Sequence, residues 1–432
     1  MDSKLKICQL TSIPKMTKKK IKILIIGTTD NSGGAARVGW DIGHELINRK
    51  YDVKFIVGYK KSNKNYVYDL KKPKLLSWLD KNTRFDFTAT LRHLRSFLLA
   101  NNIDYGANTE ILDHPWYKSA DLVHCHNLHG NYFKLEILSQ IASEKKLVWT
   151  LHDMSAITGK CAYVENSNEW ESGYHKCRNL NSYPPMLWDN TKYMWQKKKN
   201  IYKKAKLSVV SPSLWLAKIA KKSILKNQNI FVIPNGIDTN IFHPKNIKNI
   251  KRELNIPVDK KIILFIAQAG KKDSRKGWKY TASIIDKYRN DDSIHFICIG
   301  GGEKNKTKNN ITFIPFIEKK EVLAKYYSAA DLLLFTSLAE NCPLVILEAM
   351  ACGLPIISFD VGGIRELIEN KVNGYIANYL DTEDLNNGIK YVLNLSIDEI
   401  KVMRNKNREK AIKQYSIKIM TDRYENLYTS LV

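Results

Sequence analysis

The chain has 432 residues, 44% of them hydrophobic and 26% charged, with a formal net charge of +26. At roughly 100–200 residues per domain, that length predicts two or three domains with cores of their own, and no apolar run approaches the roughly 20 residues a membrane-crossing helix needs. The seven cysteines are odd in number and contain no CxxC pair, which speaks against a disulfide framework and fits a reducing compartment. The N-terminus lacks the apolar stretch of a secretory signal, so the cytoplasm is the expected location. The positive charge draws the chain towards phosphate-bearing partners. Its lysines are spread along the chain (Lys18–Lys20, Lys197–Lys199, Lys203–Lys204, Lys271–Lys272), and no zinc-finger, RNA-recognition or basic-zipper pattern accompanies them. An anionic membrane surface, at the inner face of the cytoplasmic membrane, therefore ranks above nucleic acid, which is not expected as a partner.

Taken in order, the elements alternate between strand and helix, the mark of parallel sheets covered by helices. Ile21–Gly27 is a continuous apolar run, as a strand buried on both faces should be. A glycine-containing turn, Thr28–Gly34, leads into a helix over Ala35–Arg49, and strands are predicted at Tyr51–Val57, Leu122–Cys125, Leu147–Leu151, Leu207–Ser211 and Phe231–Ile233. Pro234-Asn235-Gly236 is a breaker, and residues 237–254, rich in Asn, Pro and Lys, read as an irregular linker. A second series follows: strand Lys261–Ala267, helix Trp278–Tyr288, strands Ile294–Ile299 and Ile311–Pro315, helix Glu321–Ala329, strand Leu332–Phe335, helix Leu344–Met350 and strand Pro355–Phe359. The stretch Ile397–Leu431 reads as helical and charged. Two α/β domains are thus expected, with a boundary near 235–260.

Chemistry concentrates in a few segments. Glu340 and Glu348 flank the start of a predicted helix, with Pro343 in its first turn; the free N–H groups there can face an anion, and the carboxylates can accept hydrogen bonds from hydroxyls. A solvated helix face would explain the glutamate pair alone, but the surrounding string is more particular: Ala329-Ala330-Asp331 before the strand, Ser337 after it, Ala349-Met350-Ala351-Cys352-Gly353, Pro355 and Val361-Gly362-Gly363. Arg275-Lys276-Gly277 lies between a strand and a helix. Gly33 and Gly34 sit in the turn after the first strand, where a plain tight turn is the common explanation and close backbone approach to a ligand the functional one. His124, His126 and His129, with His152-Asp153, lie at strand C-terminal ends, where open α/β sheets bind ligands. A metal site at His124, His126 and His152 has no HExxH pattern behind it, and Cys161, Cys177 and His175 fall one ligand short of a structural zinc, so no metal is expected.

The string from about Ala329 to Gly374 resembles the donor-binding segment of the family 4 retaining glycosyltransferases, and Thr150–Gly159 with Cys161 and Tyr183-Pro184-Pro185 resembles a subgroup that assembles cell-surface polysaccharide. The resemblance implies the GT-B fold: two Rossmann-like domains facing across a cleft, 1–235 on the acceptor side and 236–413 binding the nucleotide sugar, with a helix over 414–432 crossing back. It implies that Lys276, with the adjacent Arg275 and the region of Lys271 and Lys272, pairs with the donor diphosphate, helped by the helix N-terminus near Cys342 and Leu344. It assigns Glu340 to the donor-sugar hydroxyls, Glu348 to the ribose and Gly33 and Gly34 to a loop against the phosphates and acceptor. His152 would lie near the donor sugar, where with Asp153 it orients the reactants. The expected reaction moves a hexose-type sugar from a nucleoside-diphosphate sugar to a glycan or lipid-linked acceptor in surface polysaccharide synthesis. No cofactor is expected, because the nucleotide sugar is a substrate and cationic side chains replace a divalent metal. The competing class is a basic protein that binds anionic lipid or nucleic acid without catalysis.

Overall fold

The structure is a computed structural model, and it describes residues 21–70, 87–106, 109–164, 168–173, 176–177, 179–267, 273–300 and 305–432. The chain divides into two compact units, one formed by residues up to Pro234 together with Thr421–Val432, the other by Asn235–Met420.

In the first unit, β1 (Lys22–Thr29), β2 (Asp52–Tyr59), β3 (Val67–Asp69), β4 (Leu122–His126), β5 (Lys146–Thr150), β6 (Ser208–Ser211) and β7 (Asn229–Val232) form one sheet in the order β3-β2-β1-β4-β5-β6-β7. Every pairing is parallel, with Ile25 opposite Phe55 on one side and His124 on the other. The central strands are largely apolar because helices cover both faces; Ile23–Ile26 and Leu122–Cys125, His124 included, are all buried. The main covering helices are α1 (Gly34–Asn48), α2 (Phe87–Leu98), α3 (Ile137–Glu144), α4 (Thr191–Lys204) and α5 (Leu214–Lys222).

The second unit repeats the plan with β8 (Lys261–Ile266), β9 (Ile294–Ile299), β10 (Lys306–Lys308), β11 (Ile311–Ile314), β12 (Leu332–Phe335), β13 (Ile356–Phe359) and β14 (Gly374–Ala377), ordered β10-β11-β9-β8-β12-β13-β14. Only the short edge strand β10 runs antiparallel. Its helices include α6 (Ile247–Glu253), α7 (Trp278–Lys287), α8 (Lys320–Ala329), α9 (Leu344–Ala351), α10 (Thr382–Leu393) and α11 (Ile397–Tyr415), and α12 (Ile417–Leu431) ends the chain.

One expectation needs correction. Residues 237–254 are not an irregular linker: Ile237, Phe242 and Ile250 are buried in the second unit's core, and α6 is capped by the Asn246 side chain, which accepts from the Asn249 N–H. Ile247, Ile250 and Leu254 recur at i, i+3 and i+7, a helical period set among Asn, Pro and Lys residues that read as a linker. The closing stretch is helical as expected and consists of two helices, α11 and α12, that meet at Ser416. There the Ile237 N–H donates to the Tyr415 carbonyl (2.7 Å) and the Ile417 N–H to the Ile237 carbonyl (3.0 Å), so a strand-like bridge occupies the break.

The part of α12 that belongs to the first unit is held by a compact set of polar contacts. Tyr424 and Tyr428, one turn apart, reach into the sheet: the Tyr424 hydroxyl lies 2.9 Å from Thr150 Oγ1 and the Tyr428 hydroxyl 2.6 Å from His124 Nδ1. On its other side, Arg49 Nη1 donates to Asp422 (2.6 Å) and Glu425 (2.7 Å), and the Tyr51 hydroxyl donates to Glu425 (2.7 Å).

Candidate active site

In both sheets the chain reverses its winding direction at one position, between β1 and β4 and between β8 and β12. The crevice beyond the strand C-termini at such a point is where open α/β sheets take ligands. The sequence-predicted residues fall there in each unit.

In the second unit, the turn Ser274–Lys276 follows β8 and ends at Gly277, which is left-handed (φ 66). A Cβ on Gly277 would lie 1.9 Å from the Thr336 carbonyl oxygen, just past the end of β12. The Thr336 hydroxyl lies 3.1 Å from the Lys276 and Gly277 carbonyls, and the Leu338 N–H donates to the Arg275 carbonyl at 2.7 Å. Glu340 is pinned in the same manner, since a Cβ on left-handed Gly362 (φ 58) would meet the Glu340 carbonyl oxygen at 1.8 Å. With both turns fixed, Lys276 Nζ donates to Glu340 Oε1 at 2.7 Å, a charge-assisted contact. Glu340 is buried, whereas the Lys276 side chain keeps 31% of its surface exposed and so remains open to a ligand.

The neighbouring candidates take different partners. Arg275 is gripped by Asp273, Nε to Oδ1 at 3.0 Å and Nη2 to Oδ2 at 2.8 Å, so much of its charge is answered within the turn. The region of Lys271 and Lys272 lies outside the described residues. Glu348, on α9, is buried and accepts from the Tyr327 hydroxyl of α8 at 2.7 Å. Pro343 stands as the N-cap of α9, one residue before the first turn, and Leu344 opens the helix. The Cys342 carbonyl accepts from the Asn235 side chain at 2.8 Å, and burial pushes the Cys342 thiol up to about 12, so it stays protonated.

In the first unit, Gly33 and Gly34 lie at the start of α1 and line a cavity of about 260 Å³, together with Thr28, His126 and His129. A Cβ on either glycine would meet nothing within 4 Å. His126 Nδ1 lies 2.9 Å from His152 Nε2, and the two rings stack 5.2 Å apart. The other nitrogen of His126, Nε2, is buried with no hydrogen-bond partner among the described residues. Burial lowers His152 to about 4 and His126 well below its ordinary value, so both rings are neutral near pH 7. Asp153 Oδ2 meets His129 Nε2 at 2.9 Å, and its Oδ1 accepts from the Ser155 N–H at 2.8 Å. Burial would raise the Asp153 carboxyl, but the attraction of His129 and the hydrogen bonds from His129 and Ser155 outweigh it and hold the group at about 2.

His124 is not grouped with these as a metal ligand: its nitrogens face Thr150 (2.8 Å) and Tyr428. Among the described residues, no group of three or more His, Cys, Asp or Glu side chains is placed to hold a metal ion. Cys161 Sγ lies 3.2 Å from the Ser182 hydroxyl, and His175 lies outside the described residues. The loop after Asp153 is held instead by two buried lysines. Lys198 Nζ donates to the carbonyls of Ser155, Thr158 and Gly159, and Lys160 Nζ to those of Leu180, Ser182 and Pro184.

Several contributing residues were given no individual role from the sequence. His126 and His129 stand in the histidine cluster, but only His152 matched a family position. Gly362 was quoted only as part of the Val361-Gly362-Gly363 string and Thr336 not at all, yet both carry the geometry through backbone contacts; Asp273 and Tyr327 became visible only as partners of Arg275 and Glu348.

Two Rossmann-like units, each with one winding reversal, give the GT-B fold, and the similarity to solved structures agrees. Sucrose-phosphate synthase from Thermosynechococcus elongatus superposes with a TM-score of 0.66 at 19% identity, covering 95% of this chain and 99% of the other. HepE from Anabaena, solved in complex with UDP-glucose, gives 0.64 at 17% identity over 95% of this chain and 100% of its own. The model described as Glycosyltransferase Family 4 matches residues 32–241, and that described as Glycosyl transferases group 1 matches residues 260–394, most of the chain between them. The chain belongs to the family 4 glycosyltransferases. Among curated relatives, the putative colanic acid biosynthesis glycosyl transferase WcaC of Escherichia coli K12 is 25% identical over 78% of this chain and 82% of its own. The UDP-Gal:alpha-D-GlcNAc-diphosphoundecaprenol alpha-1,3-galactosyltransferase of Escherichia coli is 27% identical over 49% of this chain and 57% of its own.

Proposed function

We propose that this glycosyltransferase moves a hexose-type sugar, with retention of anomeric configuration, from a nucleoside-diphosphate sugar to a glycan or lipid-linked acceptor in the assembly of a surface polysaccharide. The Lys276–Glu340 contact carries the reading. An ammonium and a carboxylate fixed side by side at the winding reversal of one sheet offer a cation for a diphosphate and acceptor oxygens for sugar hydroxyls in a single place. The names of WcaC and of the diphosphoundecaprenol galactosyltransferase support the polysaccharide and lipid-linked acceptor, and the UDP-glucose bound to HepE supports the donor class.

In this scheme the bond between the anomeric carbon and the β-phosphate oxygen breaks, and the electron pair stays on the departing diphosphate. Lys276, one proton of which already serves Glu340, and the N–H groups at the start of α9 take up that negative charge. Glu340 accepts from donor-sugar hydroxyls, and Glu348, oriented by Tyr327, from the ribose. The acceptor hydroxyl bonds to the anomeric carbon on the face the diphosphate leaves, and its proton passes to the departing phosphate oxygen. The acceptor is assigned to the first unit's cavity, which His126 and His129 line; His152 fixes the His126 ring and Asp153 the His129 ring. The test is a panel of nucleotide sugars assayed for release of free diphosphate in the presence of undecaprenyl-diphosphate-linked and free glycan acceptors. One donor should turn over with an acceptor present, and no release from any donor would overturn the reading.

A further inference from the structure

We propose that the exposed apolar face of α2, continued by Leu187 and Trp188, is a docking surface for an anionic lipid bilayer, placed so that a lipid-linked acceptor enters the adjoining cavity. The second half of this statement rests on the cavity's being the acceptor site.

Leu91, Leu94 and Leu98 recur at i, i+3 and i+7, so they share one stripe of the helix, yet each is nearly half exposed (48%, 49% and 47%). A stripe of this spacing ordinarily packs into a core. The loop over 183–190 extends it. The Leu187 N–H donates to the Phe97 carbonyl and the Trp188 indole N–H to the Leu98 carbonyl, both at 3.1 Å, and these bonds fix Leu187 (55% exposed) and Trp188 (49%) at the C-terminal end of the stripe. A tryptophan whose N–H is satisfied while its ring is bare suits the boundary between water and hydrocarbon.

The charge around the patch selects the kind of bilayer. Arg95 projects from the same helix, its guanidinium 3.9 Å from the Tyr105 ring centroid, and exposed Lys192 stands beside Tyr193. Among the described residues, Asp104 is paired with Lys197 at 2.6 Å, and Asp189 accepts from Thr191 and from the Cys177 N–H. With a net charge of +26 on the chain, the surface is complementary to anionic headgroups. The patch also borders the cavity, because His93 of α2 and Tyr183 of the loop line the same space as Gly33, Gly34 and His126. A substrate anchored in the bilayer would meet the cavity without leaving the interface.

The test is cosedimentation of the full chain with vesicles of phosphatidylglycerol and phosphatidylethanolamine, with phosphatidylcholine vesicles as control. Wild type should bind the anionic vesicles and not the neutral ones. Leu94→Gln with Leu98→Gln should bind at least tenfold more weakly at an unchanged melting temperature, and adding Trp188→Gln should weaken it further. Wild type remaining in the supernatant, or equal binding by the variants, would overturn the proposal. So would sedimentation equilibrium showing a dimer that the same variants dissociate, because the patch would then be covered by a second copy. Vesicle binding needs no donor, so an enzyme that binds vesicles and turns over no nucleotide sugar would sink the proposed reaction and leave this surface standing.

Discussion

Replacing Gly277 with alanine tests whether the site is built by backbone approach rather than by the charged side chains alone. The substitution costs about 1–2 kcal/mol for placing an L-residue in the left-handed region. The new Cβ must also open from 1.9 Å to the 3.4 Å of ordinary contact with the Thr336 carbonyl. Neither side can rotate away, since both are backbone. The turn therefore shifts, and it gives up the Thr336 hydroxyl bond to the turn and the Leu338 N–H bond to Arg275, about 1 kcal/mol each. The loss expected in urea denaturation is about 3–4 kcal/mol. Displacing Lys276 by on the order of 1 Å from Glu340 should lower turnover about 10²-fold. Gly362→Ala, with its Cβ at 1.8 Å from the Glu340 carbonyl, should behave alike from the opposite side of the pair. The reasoning fails if Gly277→Ala unfolds at the wild-type urea midpoint and retains the wild-type rate.

The contrasting substitution is Gly34→Ala, where φ is ordinary and no atom lies within 4 Å of the new Cβ. It should leave stability unchanged or raise it by about 0.4–1 kcal/mol while lowering kcat/KM if a ligand approaches this backbone; an unaltered kcat/KM removes Gly34 from the site. Acid should destabilise the first unit. His152 and His124 bind protons more weakly when folded (about 4 and about 3) than their ordinary 6.5, so the unfolded state protonates first and stability falls as pH drops below 6.5. At pH 5.5 the loss is about 1.4 kcal/mol for each ring, and equal urea midpoints at pH 7 and 5.5 would contradict the burial argument. Arg49→Ala strands Asp422 and Glu425 beside Tyr51 and should cost roughly 2–3 kcal/mol, below the full range for a buried pair because Arg49 is partly exposed. Limited proteolysis should then cut within 421–432, and a wild-type cleavage pattern would count against this anchor.

The sequence was most legible where one physical signal dominated. Leu332–Phe335 was read to the residue because a strand buried on both faces leaves an unbroken apolar run, and Ile294–Ile299 because only His295 interrupts one. Helix α4 was hidden by its own lysines: Met194, Trp195, Ile201 and Tyr202 follow a helical period, but Lys198 interrupts it and is itself buried on three carbonyls. Polarity is a poor guide to burial when backbone acceptors converge on one ammonium. Lys276, Glu340 and Glu348 were picked out by the resemblance of their segments to the family 4 pattern, since a glutamate pair at that spacing also suits a solvated helix face; the structure brings Lys276 and Glu340 together and leaves Glu348 with Tyr327. The bonds of Tyr428 to His124 and of Asp422 to Arg49 were not legible, since they join residues hundreds of positions apart and leave no local period. The grip of Asp273 on Arg275 lay two residues away and could have been anticipated from the short side chain preceding a tight turn.

The role of Lys276 is tested most directly by steady-state kinetics of Lys276→Ala on the donor that wild type accepts. The account predicts a kcat lower by about 10²–10³, the effect of deleting one preorganised donor to the leaving group, at a melting temperature close to wild type. A variant that stays folded and releases diphosphate at the wild-type rate would contradict it.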